Sequence, residues 1–358
     1  MNKLNQLDFR GTNIYCGLDV HLANWRINIR DDDMELRDFS HNPDPVTLSH
    51  FLKKNYPGAN YKVGYEAGFC GFGIQRNLAS LGIPCVVLNA ADIPKGNKDK
   101  RQKNDKRDAR NISEEIKKKQ VGIYVPHLDW EYARTLVRTR QQQITDSTRI
   151  KARIWQFLYF HSLATPQKDD VGRYWSRRFI ANLEGHPCNK NVQLKSTLQI
   201  MLSDYLQKRV LLHQVIKAIR SLYRQDAYKE NMQLIISISG IGEINAAVIL
   251  FELQDINRFK TFDHLCSYVG LIPDTDDSGD TQRNMGLTHR HNSRLRKALI
   301  ESSWVIIRQD PAMLILFKNY CKRMHKNKAI IRIAKHLLAR IRYVLKEQKP
   351  YVKGVIAG

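Results

Sequence analysis

The chain has 358 residues, 42% of them hydrophobic, with 58 lysines and arginines against 35 aspartates and glutamates, a formal net charge of +23. That length exceeds the usual single domain and calls for two or three units, each burying its own core. The positive excess runs through most of the chain and points to nucleic acid as partner, while the lack of a bilayer-length apolar run or N-terminal signal peptide speaks against a membrane protein and for a cytoplasmic one.

In chain order, Ile14 to Val20 reads as a strand and Trp25 to Arg30 as a second. Glu35 to Ser40 follows as a third after the acidic turn Asp31-Asp32-Asp33, so the pattern is an antiparallel meander. Beyond Pro43 and Pro45, Leu48, Phe51 and Leu52 take helical spacing, and Tyr61 to Glu66 returns to strand. Gly68, Gly71 and Gly73 loosen the chain before a helix through Ile74, Leu78 and Leu81, and Pro84 to Leu88 is the next strand. Three antiparallel strands followed by alternating helices and strands predict a ribonuclease H-like, α/β layer fold over residues 1–125. Asp19 falls within its first strand and Glu66 at the end of a later one. After a lysine-rich polar stretch, Ala109, Ile112 and Ile116 mark an amphipathic helix. Asp105 and Asp108, three apart, share one of its faces, with roughly 5–6 Å between β-carbons.

Residues 126–232 are helical by pattern. Leu136, Ile144, Ile150, Ile154, Phe157 and Leu158 form one stripe, and Leu198, Leu202, Leu206, Leu211 and Ile216 another. A plain helical hairpin and a dimerising coiled coil with imperfect heptads both satisfy this spacing. Residues 233–358 open on Gly240-Ile241-Gly242, a turn before a helix that resembles a helix-hairpin-helix; such a turn exposes N–H groups to a DNA phosphate, or is simply a turn. A basic stretch from His289 to Arg296 follows, and Lys328 to Lys346 reads as a packed amphipathic helix. The six cysteines are scattered without a C-x-x-C pair, so neither a disulfide framework nor a zinc site is expected.

A strongly basic protein that meets a polyanion has little reason to set carboxylates beside the phosphates unless divalent cations bridge the two. Asp19, Glu66, Asp105 and Asp108 are therefore candidate ligands for Mg²⁺, with Mn²⁺ the substitute, since oxygen donors favour hard octahedral ions. Taken singly, each is equally a solvated charge or a helix-start acid. Ser278 precedes Gly279 in a polar turn and is followed by Arg283, Arg290, Arg294 and Arg296. Its hydroxyl would be a nucleophile toward a phosphate if those cations stabilise the charge, and otherwise is a turn residue.

The order Gly17-Leu18-Asp19-Val20-His21, Tyr65-Glu66-Ala67, Asn104-Asp105-Lys106-Arg107-Asp108, Gly240-Ile241-Gly242, Gly270-Leu271-Ile272-Pro273, Ser278-Gly279 and Asn292-Ser293-Arg294-Leu295-Arg296 resembles the DEDD transposases of bacterial insertion sequences, the IS one-ten family related to the Piv invertase, across nearly the whole chain. The resemblance implies a RuvC-like N-terminal domain holding the four acids, a coiled-coil middle, and a mainly helical C-terminal transposase domain with Ser278 as catalytic serine. It further implies recombination of donor and target double-stranded DNA directed by a structured bridge RNA, a 5′-phosphoserine intermediate, and a homodimer assembling to a tetramer. Gly240, Gly242, Arg283, Arg290, Asn292, Arg294 and Arg296 are the expected nucleic-acid contacts. Two positions depart from the family's pattern: Ser239 stands where proline is usual and His291 where glycine is usual. Two other functions fit the same residues: a RuvC-like metal-dependent nuclease that cuts with water, and a nucleic-acid-binding protein without catalysis.

Overall fold

The structure, a computed structural model, describes residues 8–94, 105–118, 122–186, 190–278 and 281–353, with the side chains of 105, 274–278 and 281–285 excepted. The chain forms two compact units, Met1–Val125 and Pro126–Gly358.

In the first unit, β1 (Asn13–Val20), β2 (Trp25–Arg30) and β3 (Glu35–His41) make the antiparallel meander, α1 (Pro45–Asn55) leads to β4 (Asn60–Glu66), α2 (Gly73–Ser80) to β5 (Cys85–Leu88), and α3 (Asp105–Lys118) follows. The sheet order is β3-β2-β1-β4-β5, with β1 to β4 and β4 to β5 parallel, which is consistent with the ribonuclease H-like layer fold expected from the sequence. Asp44 caps α1 by accepting from the Thr47 amide at 2.8 Å, with Pro45 fixing the first turn.

Strand alternation splits the sheet into two unlike faces. One carries Ile14, Cys16, Leu18, Trp25, Ile27, Ile29, Val63 and Tyr65 into a core closed by Leu48 and Leu52 of α1 and by Ile74 and Leu78 of α2. The other carries Gly17, Asp19, Arg26, Asn28, Arg30, Lys62, Gly64 and Glu66, and α3 lies on it against β1, β2 and β4. Gly17 and Gly64 are register partners. A β-carbon on Gly17 would stand 2.2 Å from the Ala109 carbonyl oxygen, and one on Gly64 would stand 2.4 Å from Ile116 Cγ2. The two glycines thus let a helix rest on an otherwise polar face.

The second unit contains α4 (Leu128–Phe160), α5 (Lys168–Val171), α6 (Arg177–Glu184), α7 (Val192–Tyr223), α8 (Asp226–Ile236), α9 (Glu243–Leu253), α10 (Phe262–Val269), the hairpin β6 (Pro273–Ser278) and β7 (Thr281–Leu287), α11 (Ser293–Gln309), α12 (Pro311–Cys321) and α13 (Lys326–Glu347). The long helices α4 and α7 pack together and enter two separate cores. Ile150, Ile154, Phe157 and Leu158 meet Phe179, Leu198, Leu202 and Tyr205 at one end. At the other, Ala133, Val137, Ile219 and Tyr223 join the large core of α8 to α13. Between the two, Leu206 and Val210 of α7 are exposed. No helix among the described residues is long and apolar enough to cross a membrane.

Candidate active site and nucleic-acid interface

Asp19 is the penultimate residue of β1 and Glu66 the last of β4. Parallel pairing of Leu18 with Tyr65 brings the next residue of each strand, Asp19 and Glu66, level on neighbours about 4.8 Å apart. Each lies two residues beyond the glycine that touches α3, so both face the α3 side. The direction of α3 follows from its contacts. Lys62 Nζ donates to the Ile116 carbonyl at 2.7 Å, whereas Gly17, further along the sheet, meets Ser113 and Ala109. Advancing toward Asp19 and Glu66 means moving back toward the first turn of α3, where half-buried Asp108 stands. The helix begins at Asp105, whose side chain lies outside the described residues. His21 Nε2 is 3.1 Å from Asp19 Oδ2, and the Asp19 side chain is only 17% exposed.

The helix is held in place by polar contacts to the meander. Ser113 Oγ donates to Oδ1 of the fully buried Asn28 at 2.6 Å. Arg30 pairs with Glu114 at 2.9 Å and Arg110 with Glu35 at 2.7 Å, and the hydrogen bond from Arg110 holds the Glu35 carboxyl below its ordinary range. Among the described residues no group of three or more His, Cys, Asp or Glu is already gathered as a metal cage. The oxygen donors at this end suit a hard divalent cation in kind, and the fourth of them, at 105, is not among the described side chains.

The sequence reads the segment around Ser278 as a polar turn, and the structure makes it a hairpin. Asp276 pairs with Arg283, Asp277 with Gln282 and Ser278 with Thr281, so Ser278 closes the ladder at its far end. No apolar alternation in the sequence announces these strands. The side chains of Ser278 and Arg283 lie outside the described residues. The foot of the hairpin is clamped. Arg296 Nη1 donates to the Gly270 carbonyl at 3.0 Å and to that of Thr288 at 3.2 Å, bracketing the chain before β6 and after β7. Its Nη2 lies 2.6 Å from His291 Nε2, while His291 Nδ1 is 2.7 Å from the His289 carbonyl, which assigns the ring proton to Nδ1. Gly270 ends α10 at φ 82°, and a β-carbon there would stand 2.3 Å from His291 Cβ.

Asn292 caps α11 by accepting from the Leu295 amide at 3.1 Å, and its Nδ2 donates to Glu252 Oε2 at 2.8 Å. Glu252 is fully buried in α9 and takes two bonds from Arg138 of α4, at 2.8 and 2.9 Å. Burial pushes the Glu252 carboxyl upward; the bonds from Arg138 and Asn292 outweigh it and leave it below its ordinary value. Arg258 stacks over Phe259 and Tyr268 at 4.3 and 4.5 Å. The donors of Asn292 and Arg296 are thus engaged within the protein; Arg294 lines a cavity. Gly240 has φ 88° and a β-carbon there would stand 2.7 Å from the Ile306 amide nitrogen; Gly242 caps α9 in open space.

Sequence reasoning missed Arg138, Glu252 and Tyr268. One signal was available: Glu252 is the lone charge in the apolar run Ala246 to Leu253, and a charge so placed requires a buried partner. Nothing local indicated that the partner would lie 114 residues away.

Two family models match the chain. Residues 16–162 match a DEDD transposase of IS110 type, and residues 232–317 match the Transposase IS116/IS110/IS902 family. The Sinorhizobium fredii protein y4qE is 28% identical over 67% of this chain and 57% of its own length. A second protein of that organism, y4rJ, is 27% identical over 78% of this chain and 76% of its own length. The transposase for insertion sequence element IS1533 of Leptospira borgpetersenii is 25% identical over 81% of this chain and 84% of its own.

Proposed function

Because the chain belongs to the IS110-family DEDD transposases of insertion sequences, we propose that it cleaves and rejoins donor and target DNA through a 5′-phosphoserine at Ser278, under the direction of a structured guide RNA. The observation that carries this reading is the pairing of two constructions in one chain: acids brought to one end of a ribonuclease H-like sheet, and a serine at the end of a hairpin clamped by Arg296.

Asp19, Glu66, Asp105 and Asp108 would hold Mg²⁺ or Mn²⁺. Such an ion supplies positive charge to a phosphate that the carboxylates would otherwise repel. The clamped hairpin presents Ser278. Its Oγ attacks phosphorus, the bond to the 3′ oxygen breaks, and the serine proton passes to that oxygen, leaving a 5′-phosphoserine and a free 3′-hydroxyl. In the second step a 3′-hydroxyl of the partner strand attacks the phosphoserine, forming the new diester and returning the proton to Ser278. The bond energy stays in the diester, and the sequence contains no Walker A motif. Guide RNA pairing would set sequence choice, with the protein reading backbone and shape. The partly uncovered apolar stripe of α7, with Leu206 and Val210 exposed, supports dimerisation through the helical region and assembly to a tetramer. The substrate places the work at the bacterial nucleoid in the cytoplasm.

The test is a cleavage series on labelled donor and target DNA with the element's flanking RNA and Mg²⁺. Ser278→Ala and Asp19→Asn should each reduce product by at least about 10³-fold. Full-rate cutting by Ser278→Ala would transfer the chemistry to activated water and make the protein a metal-dependent nuclease.

A further inference from the structure

In the second unit, α4, α9 and α11 flank a cavity of about 60 Å³ whose polar lining is Arg140, Gln141, Asn245, Arg294, Lys297 and Glu301, over an apolar floor that includes Val137 and Val248. Three cations thus face one carboxylate. Glu301 stands 4.0 Å from Lys297, and both side chains are more than half exposed, so this pair is loose. Among the described residues neither Arg140 nor Arg294 joins an ion pair, and the Nε of each is buried without a hydrogen-bond acceptor. Burial also draws the Arg140 guanidinium below its ordinary range. A tetrahedral oxyanion meets guanidinium forks bidentately while the lysine adds a point charge. Asn245 Nδ2 donates to Ser302 Oγ at 3.2 Å, which leaves its carbonyl oxygen unused in that bond.

We propose that this cavity is a binding site for a backbone phosphate of nucleic acid, with Arg140, Arg294 and Lys297 as its ligands. The inference rests on the reading of the chain as a nucleic-acid enzyme and adds residues to it. Arg140 belongs to the long helix α4, so the site extends the basic stretch at the start of α11 onto the helical region. The phosphate can come from duplex DNA or from the guide RNA, and the chemistry of the site is the same for both.

The experiment measures fluorescence anisotropy of full-length protein with a labelled DNA duplex and, separately, a labelled single-stranded RNA, across a series of KCl concentrations. Arg140→Gln, Arg294→Gln and Lys297→Gln should each weaken binding on the order of threefold to tenfold whatever the sequence. Each should lower the log–log salt slope by about 0.9 on duplex DNA or about 0.7 on RNA. A loss on one ligand alone identifies the source of the phosphate. Arg294→Lys, which keeps the charge, should restore the slope. Wild-type affinity and slope in all three glutamine variants, on both ligands, overturn the site while leaving the functional reading intact. Wild-type protein that binds neither ligand sinks that reading, and this site with it. Lys297 is half exposed, so Lys297→Gln keeps the test decisive if an arginine variant fails to fold.

Discussion

Single residues in this chain divide into those proposed to do chemistry and those that shape the fold around them, and substitution separates them. Gly17 belongs to the second group. Gly17→Ala sets a β-carbon against the Ala109 backbone, and the overpacking should cost about 1–3 kcal/mol and lift α3 away from Asp19. Gly242→Ala, in open space, should leave the melting temperature within a degree or two of wild type, and equal losses at both positions would contradict the geometry. Asp19 and Glu66 were legible in the sequence as a residue within the first strand and one at the end of a later strand, whereas the close approach of α3 to Gly17 was not. Asn292 and Arg296 have bonds within the protein that the sequence did not announce. Written beside arginines they read as phosphate contacts, and only the fold reveals donors spent on Glu252 and on the hairpin foot.

Among the elements, α3 and the β6–β7 hairpin carry the proposed site, and they differ in how openly the sequence declares them. Ala109, Ile112 and Ile116 announce α3 by periodicity, whereas Pro273 to Leu287 has no apolar face and reads as a turn with a basic tail. What fixes the hairpin is remote: Arg296 at its foot, and behind it the line from Asn292 through Glu252 to Arg138. Replacing Arg138 with Met removes the ion-pair partner of a fully buried carboxylate and should cost about 3–5 kcal/mol. Acid should attack that place and a second one, Asp310 at the junction of α11 and α12. Glu252 and Asp310 both ionise at lower pH in the fold than when unfolded; at Asp310 burial pushes upward but bonds from Tyr351, the Met313 amide and Arg340 prevail. Their stabilising contribution is therefore full above the unfolded carboxyl values, about pH 4 to 4.5, and is lost as pH falls through the lower folded values. Melting temperature should drop over that acid range, and the drop should be shallower in Glu252→Gln. An identical slope in the variant would remove Glu252 from the explanation.

For the whole molecule, charge and association are the quantities to measure. A net charge of +23 requires binding that weakens steeply with salt, a property shared by every nucleic-acid reading of the chain and hence unable to choose among them. Association is more discriminating. Leu206→Asp with Val210→Asp should leave the fold intact, since both side chains are exposed, and should shift sedimentation of the proposed dimer to the monomer; sedimentation equal to that of the unsubstituted protein would contradict an interface at this stripe. The family could be read from short motifs in a fixed order, while the catalytic chemistry depends on groups that sequence order alone cannot bring together. The most direct measurement is mass spectrometry of the protein after incubation with flanking RNA, donor and target DNA and Mg²⁺. A nucleotide adduct on the peptide containing Ser278, absent from Ser278→Ala, is the expected result. Cleaved DNA with that peptide unmodified would contradict serine recombination.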